Sequence, residues 1–452
     1  MIEIQDNNAI QIENMQMSRS LLKELAELNR SSNKLTLTRA LKMVNETVTF
    51  NIIGADRLDA TLICLLKASY VIQSQRYVRN DLSSFRTLSS SNAELNEKYD
   101  ELIKDTIDLY ERMTELKEES KNKKRTTISD YKYGIPIEDA RYIFPLTAKT
   151  NISISLSGDK FIAFLTLIAR YKNSTMNRLY NAMNVKLQSM GLHFNIIDKC
   201  VCDHLLDTLF AENEDELIKL NSRVIVDIDD TGIDNIVRGI LTSTSSNPIE
   251  SEKSYSTSDK KEALIKRVTG YNHTSVLEQS RFTSLMKCSL VTFQQLSRHR
   301  IAVTQPIDPT LLTKLVECKQ HIIPKTIQES EFINEYKNIC DRYKELMVEC
   351  SYRDNMVHAT CLLQNGDVIP FNYTVNVRTD MEVMNKRLCT NAQWEIRELM
   401  QERKKLLLET ILAPIYKEFA RKDCGLARGC QEGAYSCDPK VREEAMKKKK
   451  NK

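Results

Sequence analysis

Gln295-Leu296-Ser297-Arg298-His299-Arg300 closes an apolar segment, Phe282 to Leu296, whose composition predicts a buried helix. Two guanidiniums around an imidazole make a dense cluster of planar donors. Such a cluster suits a phosphate, a carboxylate or an electron-rich ring. Taken alone, the triplet is an ordinary solvated basic turn, so its neighbours must decide.

Upstream lie the strand-like Arg223 to Ile228, a helix from Ile233 to Leu241, and a Ser-rich polar stretch, Thr242 to Lys260, that reads as a linker. A helix over Lys261 to Val268 and the segment His273-Thr274-Ser275-Val276-Leu277-Glu278 follow. Downstream come a charged helix, Glu329 to Cys350, and a strand in which Phe371, Tyr373, Val375 and Val377 alternate with polar residues. A last long helix is expected from an Asn391 N-cap, through Ala392-Gln393-Trp394-Glu395, to about Lys422.

The first half repeats this order. Polar helical material leads to the apolar run Val48 to Ile53, then to Leu58 to Leu66 and Ser69 to Tyr77. A charged helix from Ala93 to about Ser120 carries Leu95, Tyr99, Leu102, Tyr110, Met113 and Leu116 on a core-facing stripe. A basic linker (Lys121 to Arg125), a short helix ended by Pro145, a strand with Ile152, Ile154 and Leu156 inward, and helix from Phe161 to Gln188 complete it. The shared order indicates an internal duplication of roughly 200 residues per copy. The expected division is 1–195, 196–440 and a disordered Lys-rich tail, 441–452.

Composition narrows the class. With 452 residues the chain can bury more than one core, and 11 Gly with 9 Pro favour a helix-rich protein over a loop-rich β protein. Charges nearly balance, 65 basic against 61 acidic, so a nucleic-acid binder is not expected. No run is long and apolar enough to span a membrane, and Met1 to Asp6 lacks the regions of a signal peptide. Twelve scattered Cys fit reduced thiols, so the expected compartment is the cytoplasm. Cys424, Cys430 and Cys437, spaced by six and seven with no nearby His, match no standard zinc pattern, and no metal is expected.

The second half resembles the flavin-dependent thymidylate synthases. The resemblance rests on His273, Ser275 and Glu278; Gln295 with Arg298-His299-Arg300; Asn376 and Arg378; and Arg387 before Ala392-Gln393-Trp394-Glu395. The family's signature runs on from RHR to S-x-R-Y, and there this half departs: Asp308 stands at the serine, Thr310-Leu311 at the Arg-Tyr pair, and Thr360 at the family's phosphate arginine. The first half has Cys64-Leu65-Leu66 where the triplet belongs, yet keeps Lys67-Ala68-Ser69, Ser74-x-Arg76-Tyr77 and the Ala140-Arg141 pair. Val71, Ile72 and Glu382 are further departures from the pattern. In the family one subunit supplies the triplet and the late arginine, and its neighbour supplies S-x-R-Y and the Ala-Arg arginine. The complementary losses are those of a tandem fusion that keeps one composite site and lets its mirror decay.

The resemblance implies an α+β fold in two tandem copies, helix-rich, with a small antiparallel sheet in each. It implies methylation of dUMP to dTMP with methylenetetrahydrofolate and NADPH-reduced FAD. Its implied catalytic residues are Ser74 and Arg387. Gln295, Arg298, Ser74, Arg76, Arg141 and Arg387 would bind dUMP; His273, Ser275, Arg298, His299, Arg300 and Asn376 would contact FAD. The family is tetrameric, so two fused chains would make the equivalent particle as a homodimer. The alternative is a catalytically inactive flavin- or nucleotide-binding descendant with a regulatory or structural role.

Overall fold

The structure is a computed structural model, which describes residues 9–31, 34–75, 78–115, 135–200, 209–228, 231–271 and 273–420, single positions between 422 and 433, and 436–450. Among the sequence expectations, Arg76, Leu116 and the basic linker lie outside these residues. No described helix is long and apolar enough to cross a membrane.

The chain is helix-rich and contains two four-stranded antiparallel sheets. In the first, β1 (Gln11–Met17), β2 (Thr47–Asp56), β3 (Ser69–Ile72) and β4 (Lys149–Ser157) are ordered β1-β2-β4-β3. In the second, β5 (Val224–Asp227), β6 (Arg281–Ser289), β7 (Val303–Pro306) and β8 (Val368–Asn376) are ordered β5-β6-β8-β7. The element order around them repeats as well. A short helix follows the second strand of each sheet directly, Arg57–Cys64 in one and Leu290–Ser297 in the other. A long helix precedes the fourth strand, Ala93–Thr114 and Ile333–Arg353, and a helix begins where that strand ends, Gly158–Arg170 and Val377–Arg387. Two topologically identical α+β units therefore stand in tandem.

Period-two patterning builds the sheets. Along β4, Thr150, Ile152, Ile154 and Leu156 point inward while the intervening residues face outward. The inner face is covered by helix Gly158–Arg170, whose Phe161 and Phe164 meet Phe50 of β2 at 6.3 and 5.4 Å between ring centres. In the second repeat, Arg403 is fully buried and paired to Asp380, with its guanidinium about 5 Å from the rings of Phe282 and Tyr373. Tyr416 donates to the other Asp380 oxygen at 2.6 Å.

The two repeats meet through their long helices. Lys98 pairs with Glu349, Asp105 with Arg342 and Glu94 with Arg353. Numbers rise along one helix as they fall along the other, so the helices run antiparallel about a local pseudo-twofold. A buried Thr106–Tyr343 hydroxyl contact of 3.1 Å lies between them. Near the same axis Pro145 bridges Gln364, and Leu146 N–H donates to Leu363 C=O at 2.8 Å.

Several sequence expectations need correction. Phe282 to Leu296 is a strand followed by a helix. Phe282, Ser284, Met286 and Cys288 face in, but the outward Leu285 fills a polar position and turns the alternation into an apolar run. The described residues open on strand β1, ahead of helix Arg19–Arg30. Thr242 to Lys260 is largely helical, with Asn247 capping Pro248–Glu252, so its Ser and Thr residues serve helix ends and turns. Phe161 to Gln188 divides into two helices at residues 171–176. The last long helix is capped by Gln393, not Asn391, and stops at Leu407; a separate helix, Ala413–Phe419, starts at a proline. The Lys-rich segment carries a helix, Pro439–Lys450.

Candidate functional site at the repeat junction

Arg298 forms the C-cap of helix Leu290–Ser297, which lies against helix Arg57–Cys64 of the other repeat; Gln294 Nε2 donates to Thr61 Oγ1 at 3.1 Å. Each helix leaves its strand through a side-chain cap, Asp56 in one and Ser289 in the other. This packing lays the Arg298-His299-Arg300 turn against residues 67–75. Arg300 Nη1 donates to Ser69 Oγ at 3.1 Å, and Lys67 Nζ lies 3.2 Å from both Ser297 C=O and Thr304 Oγ1.

At the centre are three arginines from both repeats. Burial and the charges of Arg141 and Arg298 push Arg57 down to about 9. Arg57 is buried, its Nη2 donates to Gln73 C=O at 3.1 Å, and its Nε has no partner. Arg298 remains exposed at the rim, where surrounding protein atoms lower its pKa. Arg141 is buried and spends Nε on Glu138 C=O. Burial pushes half-buried Lys67 to about 8. Gln75 Nε2 and Asn365 Oδ1, both buried, also lack partners among the described residues, although Asn365 Nδ2 reaches Gln75 Oε1 at 3.3 Å and Arg141 C=O at 3.1 Å. Clustered cations beside buried polar atoms with open valences are arranged to accept an anion with further hydrogen-bonding edges.

His299 and Arg387 form the second part. Arg387 Nε donates to His299 Nε2 at 2.9 Å, which makes that nitrogen the acceptor and places the proton on Nδ1. Burial, Arg387, Lys386 and Lys67 push His299 down to about 3, so it is neutral. It can therefore donate to a ring acceptor without adding charge.

The Ala-Arg and Gln-Trp-Glu segments are fastened together across the junction. Tyr142 donates to Glu395 Oε2 at 2.7 Å, Gln393 Nε2 donates to Tyr142 Oη, and Trp394 Nε1 donates to Asp139 Oδ1 at 3.1 Å. Glu395, fully buried, also accepts from Ser289 N–H at 2.8 Å and lies 3.7 Å from Arg223. The network holds the short helix bearing Arg141 against the elements that carry Arg298 and Arg387. Desolvation raises Asp139 to about 6.

The expected residues thus fall into groups. Arg298, Arg141, Arg300 and residues 67–75 converge at the junction, and Ser74 is half-buried in a turn closed by Val78 N–H to its carbonyl at 3.0 Å. Gln295 is half-buried with its amide turned to Val291 C=O in its own helix. His273 and Ser275 stand exposed beside the 3-10 helix Thr274–Gln279, which Glu278 ties to Arg378. Asn376 caps helix Val377–Arg387, accepting from Thr379 N–H at 2.9 Å. Arg57, Gln75 and Asn365 were missed. Arg57 falls between two apolar stretches and matches no motif, and only the lack of a counter-ion among the described residues marks it out. A separate cleft of about 780 Å³, lined by Arg86, Arg178 and His358, contains none of the expected residues.

The mirror position is filled by the protein itself. Cys64, Leu65 and Leu66 are buried. Asp308 accepts from Tyr171 Oη at 2.7 Å and from Thr310 N–H at 2.8 Å. Thr360 is fully buried and bonds back to Met356 C=O at 2.7 Å. No arginine occupies these three sequence positions.

Fold and junction define the class: a duplicated α+β protein in which side chains from two halves of one chain meet in a cluster of cations. Residues 9–185 and 225–411 each match the family described as thymidylate synthase complementing protein, together most of the chain. The chain belongs to that family, the flavin-dependent thymidylate synthases. A flavin-dependent thymidylate synthase of Pyrococcus furiosus is 32% identical over 148 residues, 30% of this chain and 59% of the relative. Those of Geobacter sulfurreducens and Clostridium tetani are 27% and 29% identical, over 39% and 40% of this chain and 75% and 78% of theirs. The chain thus spans about three-fifths of the Pyrococcus relative's length.

Proposed function

We propose that this protein converts dUMP to dTMP at one composite site per chain, using FAD, NADPH and methylenetetrahydrofolate. The observation that carries the reading is the Arg57–Arg141–Arg298 cluster, built from both repeats beside the neutral His299 and its partner Arg387. A nucleoside monophosphate brings a dianion and a uracil with donors and acceptors on its edge. The arginines take the phosphate, with Arg76 as a fourth candidate. Gln75, Asn365 and Gln295 offer amide edges, and Ser74 offers a hydroxyl to orient the ring.

When bound, reduced FAD would supply the hydride. The charged cluster and Asn376, whose amide N–H₂ remains a donor beyond its capping role, are suited to its phosphates and ring. Arg300 would hold an anionic group at the rim, and His273 and Ser275 extend the same face. The protein's own part is orientation. Arg387 fixes the His299 tautomer, the Tyr142–Glu395 network sets Arg141, and the packed helices exclude water behind Arg57. Two chains would associate into the four-repeat particle.

The test is a flavin-dependent dTMP assay on the wild type and on Ser74→Ala, Arg141→Ala and Arg298→Ala. All three substitutions are expected to lower kcat/KM by at least tenfold. Full activity in Ser74→Ala and Arg141→Ala, with loss in Arg298→Ala, would exclude the first repeat from the site. Flavin binding without dTMP formation by the wild type would identify an inactive descendant.

A further inference from the structure

Cys389 was not grouped with the C-terminal cysteines by sequence, because 35 residues separate it from Cys424. The fold brings them together. A small cavity of about 120 Å³, just beyond helix Val377–Arg387, is lined by Cys389, Cys424, Cys430 and Cys437. Lys386, Lys422 and Glu432 line the same space. We propose that this cavity is a tetrathiolate site for a structural zinc ion, which pins the C-terminal segment to the end of the helix that carries Arg387.

Four independent features fit. The donor set is the all-thiolate set that structural zinc takes, and soft sulfur ligands select zinc over harder divalent ions. The ligands come from separate stretches, Cys389 just beyond helix Val377–Arg387 and the others ahead of helix Pro439–Lys450, which a metal staple would join. Described residues between Cys430 and Cys437 are joined by polar contacts. Gly433 sits at φ +55°, Ser436 N–H donates to Gly433 C=O at 3.1 Å, and the buried Ser436 hydroxyl accepts from Cys430 Sγ at 3.3 Å and from Asp438 N–H at 3.1 Å. Finally, two lysines line the cavity, and their charges would offset the net −2 of a zinc tetrathiolate. Asn391 Nδ2 reaches Glu432 at 3.4 Å and ties the second wall to the first. Among the described residues no three such side chains form a ready coordination set, and all four cysteines are free thiols. Binding would therefore draw the sulfurs inward and release their protons, as thiolate ligation requires.

The experiment is metal analysis of the full-length protein, purified under reducing conditions without chelator and then dialysed. The expected content is about one zinc per chain, falling at least fivefold in Cys389→Ser and Cys430→Ser. It should be unchanged in Cys318→Ser, an exposed cysteine outside the cavity. Cys430→His should retain zinc, because three thiolates and an imidazole form an equally common structural set. Should the serine variants misfold, Co²⁺ titration of the chelator-treated wild type gives the answer through the visible bands of a tetrahedral tetrathiolate. No zinc above the level of a bovine serum albumin control, no such Co²⁺ bands, or disulfides among these four cysteines in the reduced preparation would each overturn the proposal. These readouts require neither flavin nor dUMP, so their failure is distinguishable from failure of the enzymatic reading.

Discussion

Replacing Arg57 by Met should weaken dUMP binding while leaving the free protein as stable or more stable. Arg57 is 2% exposed and lies beside Arg141 and Arg298; among the described residues its Nε has no partner and its side chain holds one hydrogen bond, to Gln73. Its removal deletes one bond from a charged donor, worth about 1.5–3 kcal/mol, and relieves an unsatisfied buried donor on a charged group, which costs upwards of about 3 kcal/mol. Met keeps most of the stem's volume, so little cavity opens. Free-protein stability should therefore stay level or rise by up to ~2 kcal/mol. With dUMP the sign reverses. Loss of a hydrogen bond to a charged group, about 1.5–3 kcal/mol, weakens Kd by ~10–150-fold.

A pH series separates the same terms. Arg57 sits near 9 and Lys67 near 8, each below its ordinary value. Between the folded and unfolded values the unfolded chain binds more protons, so these groups contribute increasing stability as pH rises above about 8. Below pH 8 the strain of both charges is fully present. Anion affinity runs the other way, falling as Lys67 and then Arg57 lose their protons. Calorimetric titration with dUMP at fixed salt and thermal melts from pH 7 to about 9.5 read both slopes. A destabilised Arg57→Met protein with wild-type dUMP affinity would refute the assignment of Arg57 to an anion site.

Other consequences follow from single contacts. Glu395→Gln places an amide donor against the donors of Tyr142 and Ser289; urea denaturation should show a loss of about 2–4 kcal/mol and kinetics a raised KM for dUMP. Unchanged stability would show that the junction network does not hold the repeats together. Asp380→Asn strips the only ion-pair partner described for a fully buried Arg403 and should cost about 3–5 kcal/mol by denaturation. Equilibrium dialysis should find one dUMP per chain, because Asp308, Tyr171 and Thr360 consume the mirror position. Two equivalent sites per chain would contradict the single composite site.

The duplicated order of elements was readable from composition and periodicity, because alternation at Ile152, Ile154 and Leu156 and helical spacing from Leu95 to Met113 are local properties of the chain. Errors arose where local pattern was ambiguous. Leu285 on an outward face disguised β6, and Ser and Thr at helix ends around residues 245–257 imitated a linker. The same limit applied to the site. Arg298-His299-Arg300 and Ala140-Arg141 stood out as motifs, whereas Arg57 and Asn365 matched none, since what distinguishes them is that, among the described residues, Arg57 lacks a counter-charge and Asn365 Oδ1 lacks a donor.

By itself, then, the sequence determined that two related α+β repeats exist and that each carries half of a recognisable set of polar residues. Only tertiary structure decided which half meets which. The antiparallel long helices and the Tyr142–Glu395 network place the basic turn of one repeat over residues 67–75 and Arg141 of the other. The fold also brings Cys389 to the C-terminal cysteines. The physical reason is range: side-chain periodicity acts over a few residues, whereas charge clustering, desolvation and ligand convergence depend on groups hundreds of positions apart that meet only when the core closes.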